Sequence, residues 1–183
     1  MQIKERSKHE IELKLKGMGD YVRMDYLQRA MRSSIDFDTK KFVQIRLAKI
    51  YESRNMFKEA AKLIKNSADI NTTYRGKIQD YMKSAELFIR GGGFDEADTV
   101  FKFALACGNS KEKEEMKNGL KNYYQNQAEY YMKRDKRNQA KKTYEKMMTL
   151  SLNDDEKKEI RGKLLNLYQA LGLIKEYQNL KKY

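Results

Sequence analysis

The chain has 183 residues, 40% of them hydrophobic and 36% charged, with a formal net charge of +13. This length suits one domain. A single cysteine, Cys107, excludes an internal disulfide, and a single histidine, His9, leaves too few ligands for a zinc cluster. Proline is absent, so glycine and local turn chemistry must end the helices. No stretch reaches the ~18 apolar residues of a membrane span. The opening run Met-Gln-Ile-Lys-Glu-Arg lacks the apolar core of a signal peptide. A cytoplasmic protein is the expectation.

Residues 1–19 read as a short helix or a flexible arm, with Ile11, Leu13 and Leu15 in alternation. Gly17-Met18-Gly19 interrupts the chain. A helix over 20–34 follows, capped by Asp20, with Tyr21, Met24, Leu27 and Met31 on one face. Asp38 is the expected N-cap of a helix over 39–54 that carries Phe42, Ile45, Ile50 and Tyr51. Its partner over 56–69 buries Phe57, Ala60, Leu63 and Ile64.

Asn71-Thr72-Thr73 forms a turn and cap before a helix over 74–90 with Ile78, Tyr81, Ala85 and Phe88 inward. Residues 94–107 pair with it through Phe94, Ala97, Val100, Phe101 and Ala104. Ser110 is the expected cap of the next helix, which the charged run 111–115 lengthens. Further helices are expected over 137–150, 154–171 and 173–181. The start of the second of these is punctuated by Asn153-Asp154-Asp155-Glu156, a cap with acids in the first turn. No segment alternates as a strand, so the expectation is an all-α chain of about 9–10 helices, forming one domain over 1–183.

An internal repeat underlies these elements. Tyr51 precedes Ala60 by nine positions, with a short turn between. Phe88 and Ala97 return the spacing around Gly91-Gly92-Gly93, and Tyr131 and Ala140 around Arg134-Asp135-Lys136-Arg137. Tyr168 and Tyr177 return it around Gly172. Leu27 and Ala30 form a half unit that matches Phe101 and Ala104. Small residues let paired helices approach, and aromatics fill the gaps between pairs.

This pattern resembles the tetratricopeptide repeat, and its irregular period is similar to the looser SNAP-type vesicle-fusion adaptors. The anchors at 60, 97, 140 and 177 are unevenly spaced, against a family period of about 34. The family's proline after the second helix is missing, and Leu165 and Tyr177 are large where small residues are expected. The resemblance implies a right-handed α-solenoid of antiparallel helix pairs over about 38–183.

No residue pattern supplies chemistry. Gly91-Gly92-Gly93 lacks the preceding strand and the Gly-Lys-Ser/Thr of a phosphate loop, and Asp95, Glu96 and Asp98 would repel an anion. Gly76-Lys77 and Gly162-Lys163 lie inside helices. Cys107 reads as a packing residue and His9 as a surface one. No catalytic, cofactor-binding or metal-binding residue and no cofactor are expected.

Binding surfaces are the remaining reading. The groove positions that the resemblance implies are Lys49 in the first unit and Gln79, Met82 and Glu86 in the second. Asn122, Gln125 and Glu129 follow in the third, and Asn166 and Gln169 in the fourth. Separately, Lys133, Arg134, Lys136, Arg137, Lys141 and Lys142 crowd one turn near Tyr123, Tyr124, Tyr130, Tyr131 and Tyr144. Cations beside aromatics suit single-stranded nucleic acid. The leading expectation is a non-enzymatic adaptor that holds a protein or peptide in its groove. The rival is an RNA- or ribosome-associated factor that uses the basic third unit. Adaptor work at an acidic membrane surface is a third reading, which rests on net charge and the SNAP-like likeness. Homodimerisation through an apolar end face stays open.

Overall fold

The computed structural model describes residues 3–182. Among them are ten α-helices and no strand: α1 Lys8–Leu15, α2 Asp20–Met31, α3 Phe37–Ser53, α4 Phe57–Asp69 and α5 Tyr74–Arg90, then α6 Phe94–Cys107, α7 Ser110–Lys133, α8 Arg137–Met147, α9 Asp154–Ala170 and α10 Ile174–Lys181. No helix is long and apolar enough to cross a membrane. The chain divides into two compact units, one ending at Met116 and the other starting at Lys117.

Four helix hairpins share one backbone construction: α3/α4, α5/α6, α7/α8 and α9/α10. The residue two beyond the first helix's last turn takes a positive φ. It is Asn55 (59°), Gly92 (71°), Asp135 (54°) or Gly172 (69°). These are the residue types that tolerate the left-handed region. The next residue's N–H then donates back to the carbonyl of the anchor aromatic five positions earlier. The bonds are Met56 to Tyr51 (2.9 Å), Gly93 to Phe88 (2.8 Å), Lys136 to Tyr131 (2.9 Å) and Leu173 to Tyr168 (2.8 Å). Together with a second bond one residue inside each, this is a Schellman turn. The donating residue also starts the second helix, and its carbonyl accepts from Ala60, Ala97, Ala140 or Tyr177 at 3.0 Å in every case.

The two helix types start differently. First helices are capped by side chains: Asp36 accepts from Thr39 N–H, Thr73 from Gly76, Asn109 from Glu112 and Asn153 from Glu156. The second helices α4, α6, α8 and α10 have no side-chain cap. Their entry is set by the turn instead. The caps correct three expectations. Asp36, not Asp38, caps α3, and Asn109, not Ser110, caps α7. At α2 the N-cap is Gly19, without a side-chain cap, and Asp20 is an acid in the first turn. A capping side chain accepts from an N–H two or three residues on, and Asp38, Ser110 and Asp20 already lie inside their helices.

Helices α3, α5 and α9 each have 17 residues, whereas α7 has 24. The charged run at its start lengthens it as expected. The later part of α7 keeps the common register, because the turn fixes it at Tyr131.

In the first unit, each helix from α2 to α5 packs on its successor, and α1 also packs on α3. Ala60, Ala61, Ala68, Ala85, Ala97 and Ala104 have no solvent exposure, and this permits close helix approach. Leu47, Leu87 and Ile89 fill the space between them, each contributing about 1.5–3 kcal/mol by burial. Residues before α2 are tied down. Ile11 is fully buried, Ser7 and Glu10 form a capping box, and Ile3 N–H donates to Ser33 Oγ at 3.2 Å. In the second unit Tyr124, Ala128 and Ala140 are fully buried. The unit closes less tightly at α10, which has no buried residue. The bulky Tyr177 stands there in place of the earlier alanines.

The turns make a stability prediction. Gly92→Ala adds a methyl group that meets open space, so its cost of about 1 kcal/mol comes from the left-handed backbone alone. Asn55→Gly, which relieves the same strain, does not lower stability. Urea unfolding followed by circular dichroism measures both. An unchanged midpoint for Gly92→Ala would mean that the turn does not depend on the left-handed residue.

Candidate binding surfaces on the first helices

The expected groove positions in the first unit fall into different environments. Lys49 on α3 and Gln79 on α5 are exposed. Met82 is only 9% exposed, so it belongs to the packing and does not line an open groove. The reason is that α5 is flanked on two sides by α4 and α6, which buries a wider sector than a one-face reading allows. Glu86 is half-buried within an ion-pair network. It lies 3.2 Å from Lys83 and 3.6 Å from Arg90, and both cations also pair with Glu52 of α3. Burial alone would raise the Glu52 carboxyl, but Lys83 and Arg90 outweigh it and hold it below the usual carboxylate range. The Arg90 guanidinium also lies 4.2 Å from the Phe57 ring centroid. This network joins α3 to α5 and starts α4. It is a fixed part of the scaffold.

A cleft of about 330 Å³ lies between α1, α2 and α3. Leu15, Leu27 and Ile50 make it apolar, and Lys16, Arg23, Arg46, Lys49 and Glu12 surround them. Of these, only Lys49 was legible as a site residue in the sequence. Arg46 pairs with Glu12, and Arg23 Nε donates to the Leu15 carbonyl at 3.2 Å.

The second unit holds a related cleft of about 170 Å³ among α7, α8 and α9. Asn118, Asn122 and Gln125 line it from α7, and Tyr144 and Met147 from α8. Glu156, Ile160 and Lys163 face them from α9. Here the cations are neutralised. Lys121 Nζ lies 2.8 and 3.0 Å from the two Glu156 oxygens, and Lys163 lies 2.5 Å from Glu159. Gln125 donates to Glu129 at 3.2 Å. The hydrogen bond from Lys121, with that from the Asn153 backbone, holds the Glu156 carboxyl below its ordinary range. Burial pushes the Tyr144 hydroxyl up. Asn122 is exposed, as are Asn166 and Gln169 further along α9. Gln169 lines a separate cleft of about 440 Å³ with Tyr168, Ile174, Tyr177 and Lys181.

The six basic residues of the expected patch follow one another around the α7/α8 turn. Lys133, Arg134, Lys136, Arg137 and Lys142 are exposed and Lys141 is half-buried. Tyr124 and Tyr144 are 0% and 2% exposed, so they are core residues and not stacking platforms. Tyr130 is 42% exposed, and the Arg134 guanidinium lies 4.5 Å from its ring centroid. Arg137 pairs with Asp135 at 2.7 Å.

No protein-family description matches the chain, and no curated protein matches it. Among solved structures, the crystal structure of BtubC (BKLC) from P. vanneervenii is similar at 16% identity and a TM-score of 0.39. The match covers 93% of this chain and 73% of that one.

The Lys121–Glu156 pair gives a measurable consequence. In Lys121→Ala the Glu156 carboxyl titrates closer to its ordinary value of 4.5. Because its pKa is depressed in the folded chain, the stability it contributes is present at neutral pH and fades as pH falls through that depressed value. The fading is smaller in the variant. Carboxyl NMR titration of both forms measures the shift, and an unmoved Glu156 would assign its depression to the α9 cap alone.

Proposed function

We propose that the chain is a helical-repeat scaffold of the tetratricopeptide-like kind, which holds a protein or peptide partner against its first helices and performs no chemistry of its own. The observation that carries this reading is the fourfold recurrence of one hairpin, with the same anchor aromatic, left-handed residue and back-donated hydrogen bond. Repetition of a single unit is how helical-repeat proteins extend a binding face. Two further observations support it. First helices of successive pairs meet, as Glu52 of α3 pairs with Lys83 and Arg90 of α5 and Lys121 of α7 bonds Glu156 of α9. The α7–α9 cleft presents the amides of Asn118, Asn122 and Gln125. These offer both donors and acceptors to a peptide backbone.

A second reading is an RNA- or ribosome-associated role. It is favoured by the exposed cations around the α7/α8 turn beside the half-exposed Tyr130. Phosphate binding of that kind weakens steeply with salt, whereas amide and apolar contacts do not.

The two readings part in one experiment. Tagged chain is recovered from its native lysate with and without ribonuclease, at moderate and raised salt. The scaffold reading expects protein partners that persist through both treatments and are lost in Asn122→Ala/Gln125→Ala. If ribonuclease releases everything, the scaffold reading falls. The variant Lys133→Ala/Arg134→Ala/Lys136→Ala/Arg137→Ala keeps the protein partners and loses any RNA. RNA binding that survives it would remove the patch assignment.

A further inference from the structure

We infer that the cleft between α1, α2 and α3 takes an acidic peptide segment anchored by one apolar side chain. This rests on the scaffold reading and names the chemistry of the partner at one place on it. The evidence is a contrast between two similarly built clefts. In the α7–α9 cleft, each lysine is neutralised by a glutamate beside it, Lys121 by Glu156 and Lys163 by Glu159. The α1–α3 cleft has four cations and one carboxylate. Glu12 is taken by Arg46. Arg23 is held by the Leu15 carbonyl at the end of α1 and lies 3.6 Å from Asp20. Among the described residues, Lys16 and Lys49 have no carboxylate within ion-pair reach, and both are exposed.

Below these two ammonium groups is an apolar floor of Leu15, Leu27 and Ile50, with Leu27 fully buried. A cleft of about 330 Å³ is at the small end of ligand sites, enough for one large side chain and its flanking backbone. An apolar residue on that floor brings neighbouring carboxylates to Lys16 and Lys49. The arrangement selects against basic and against purely polar segments.

The test uses the full chain and a fluorescein-labelled nonapeptide, Ser-Gly-Asp-Glu-Leu-Glu-Asp-Gly-Ser, read by fluorescence anisotropy. Replacing the peptide leucine by serine, or making Lys16→Glu/Lys49→Glu in the protein, weakens binding at least about tenfold. Lys16→Gln/Lys49→Gln, which keeps side-chain length without charge, gives an intermediate loss. Lys62→Glu/Lys102→Glu, exposed lysines outside every proposed surface, leaves affinity within about twofold. Circular dichroism checks that each variant is folded. Undetectable binding, equal binding of the serine peptide, or equal binding by Lys16→Glu/Lys49→Glu overturns the inference. So does an oligouridine that binds this cleft in place of the peptide. If the peptide fails while lysate partners still depend on Asn122 and Gln125, the scaffold reading stands and only this cleft assignment falls.

Discussion

The hairpins depend on one backbone hydrogen bond. In each, an N–H just past a left-handed residue returns to the carbonyl of the anchor aromatic, at 2.8–2.9 Å. That bond ends the first helix and satisfies carbonyls that would otherwise be orphaned. It also fixes where the second helix begins, since the donor is that helix's first capping residue. The second helices therefore need no side-chain cap, and they have none. The consequence reaches the packing. The first intrahelical bond of the second helix always falls at the same register, and at three of four sites that register holds a fully buried alanine. A small side chain there lets the paired helices approach, and where Tyr177 takes the position, α10 has no buried residue.

Length is the other recurrent constraint. The seven extra residues of α7 lie at its start, ahead of the register that the turn fixes at Tyr131, so the anchors are unevenly spaced while the hairpin geometry is unchanged.

Electrostatics divides the surface into spent and unspent charge. Glu52, Lys83, Glu86 and Arg90 satisfy one another and tie α3 to α5. Lys121 and Lys163 are matched by acids on α9. Half-exposed pairs of this kind contribute modestly to stability, but they remove those cations from any competition for a partner. The net charge of +13 therefore overstates what is available. Lys16 and Lys49 over an apolar floor, and Lys133 and Lys136 of the α7/α8 turn, are exposed cations outside these pairs.

The amino-acid sequence by itself determined the helix order, the four turns and the anchor alanines, because all of these follow from local rules. Left-handed residues end helices, 3.6-residue spacing makes apolar faces, and small residues mark close approach. It also located the exposed basic run, since contiguous cations at a turn have nowhere to go but solvent. Tertiary structure alone decided which charges are matched, because Glu52 and Arg90 or Lys121 and Glu156 are 38 and 35 residues apart and no local rule pairs them. It decided that Met82 is packed, since the width of a buried sector depends on how many neighbours a helix has. It also assembled the α1–α3 cleft, whose cations come from three separate segments and share no motif. Local backbone physics is written in short windows of sequence. Charge matching and concavity are properties of neighbours in space, and there the fold decides.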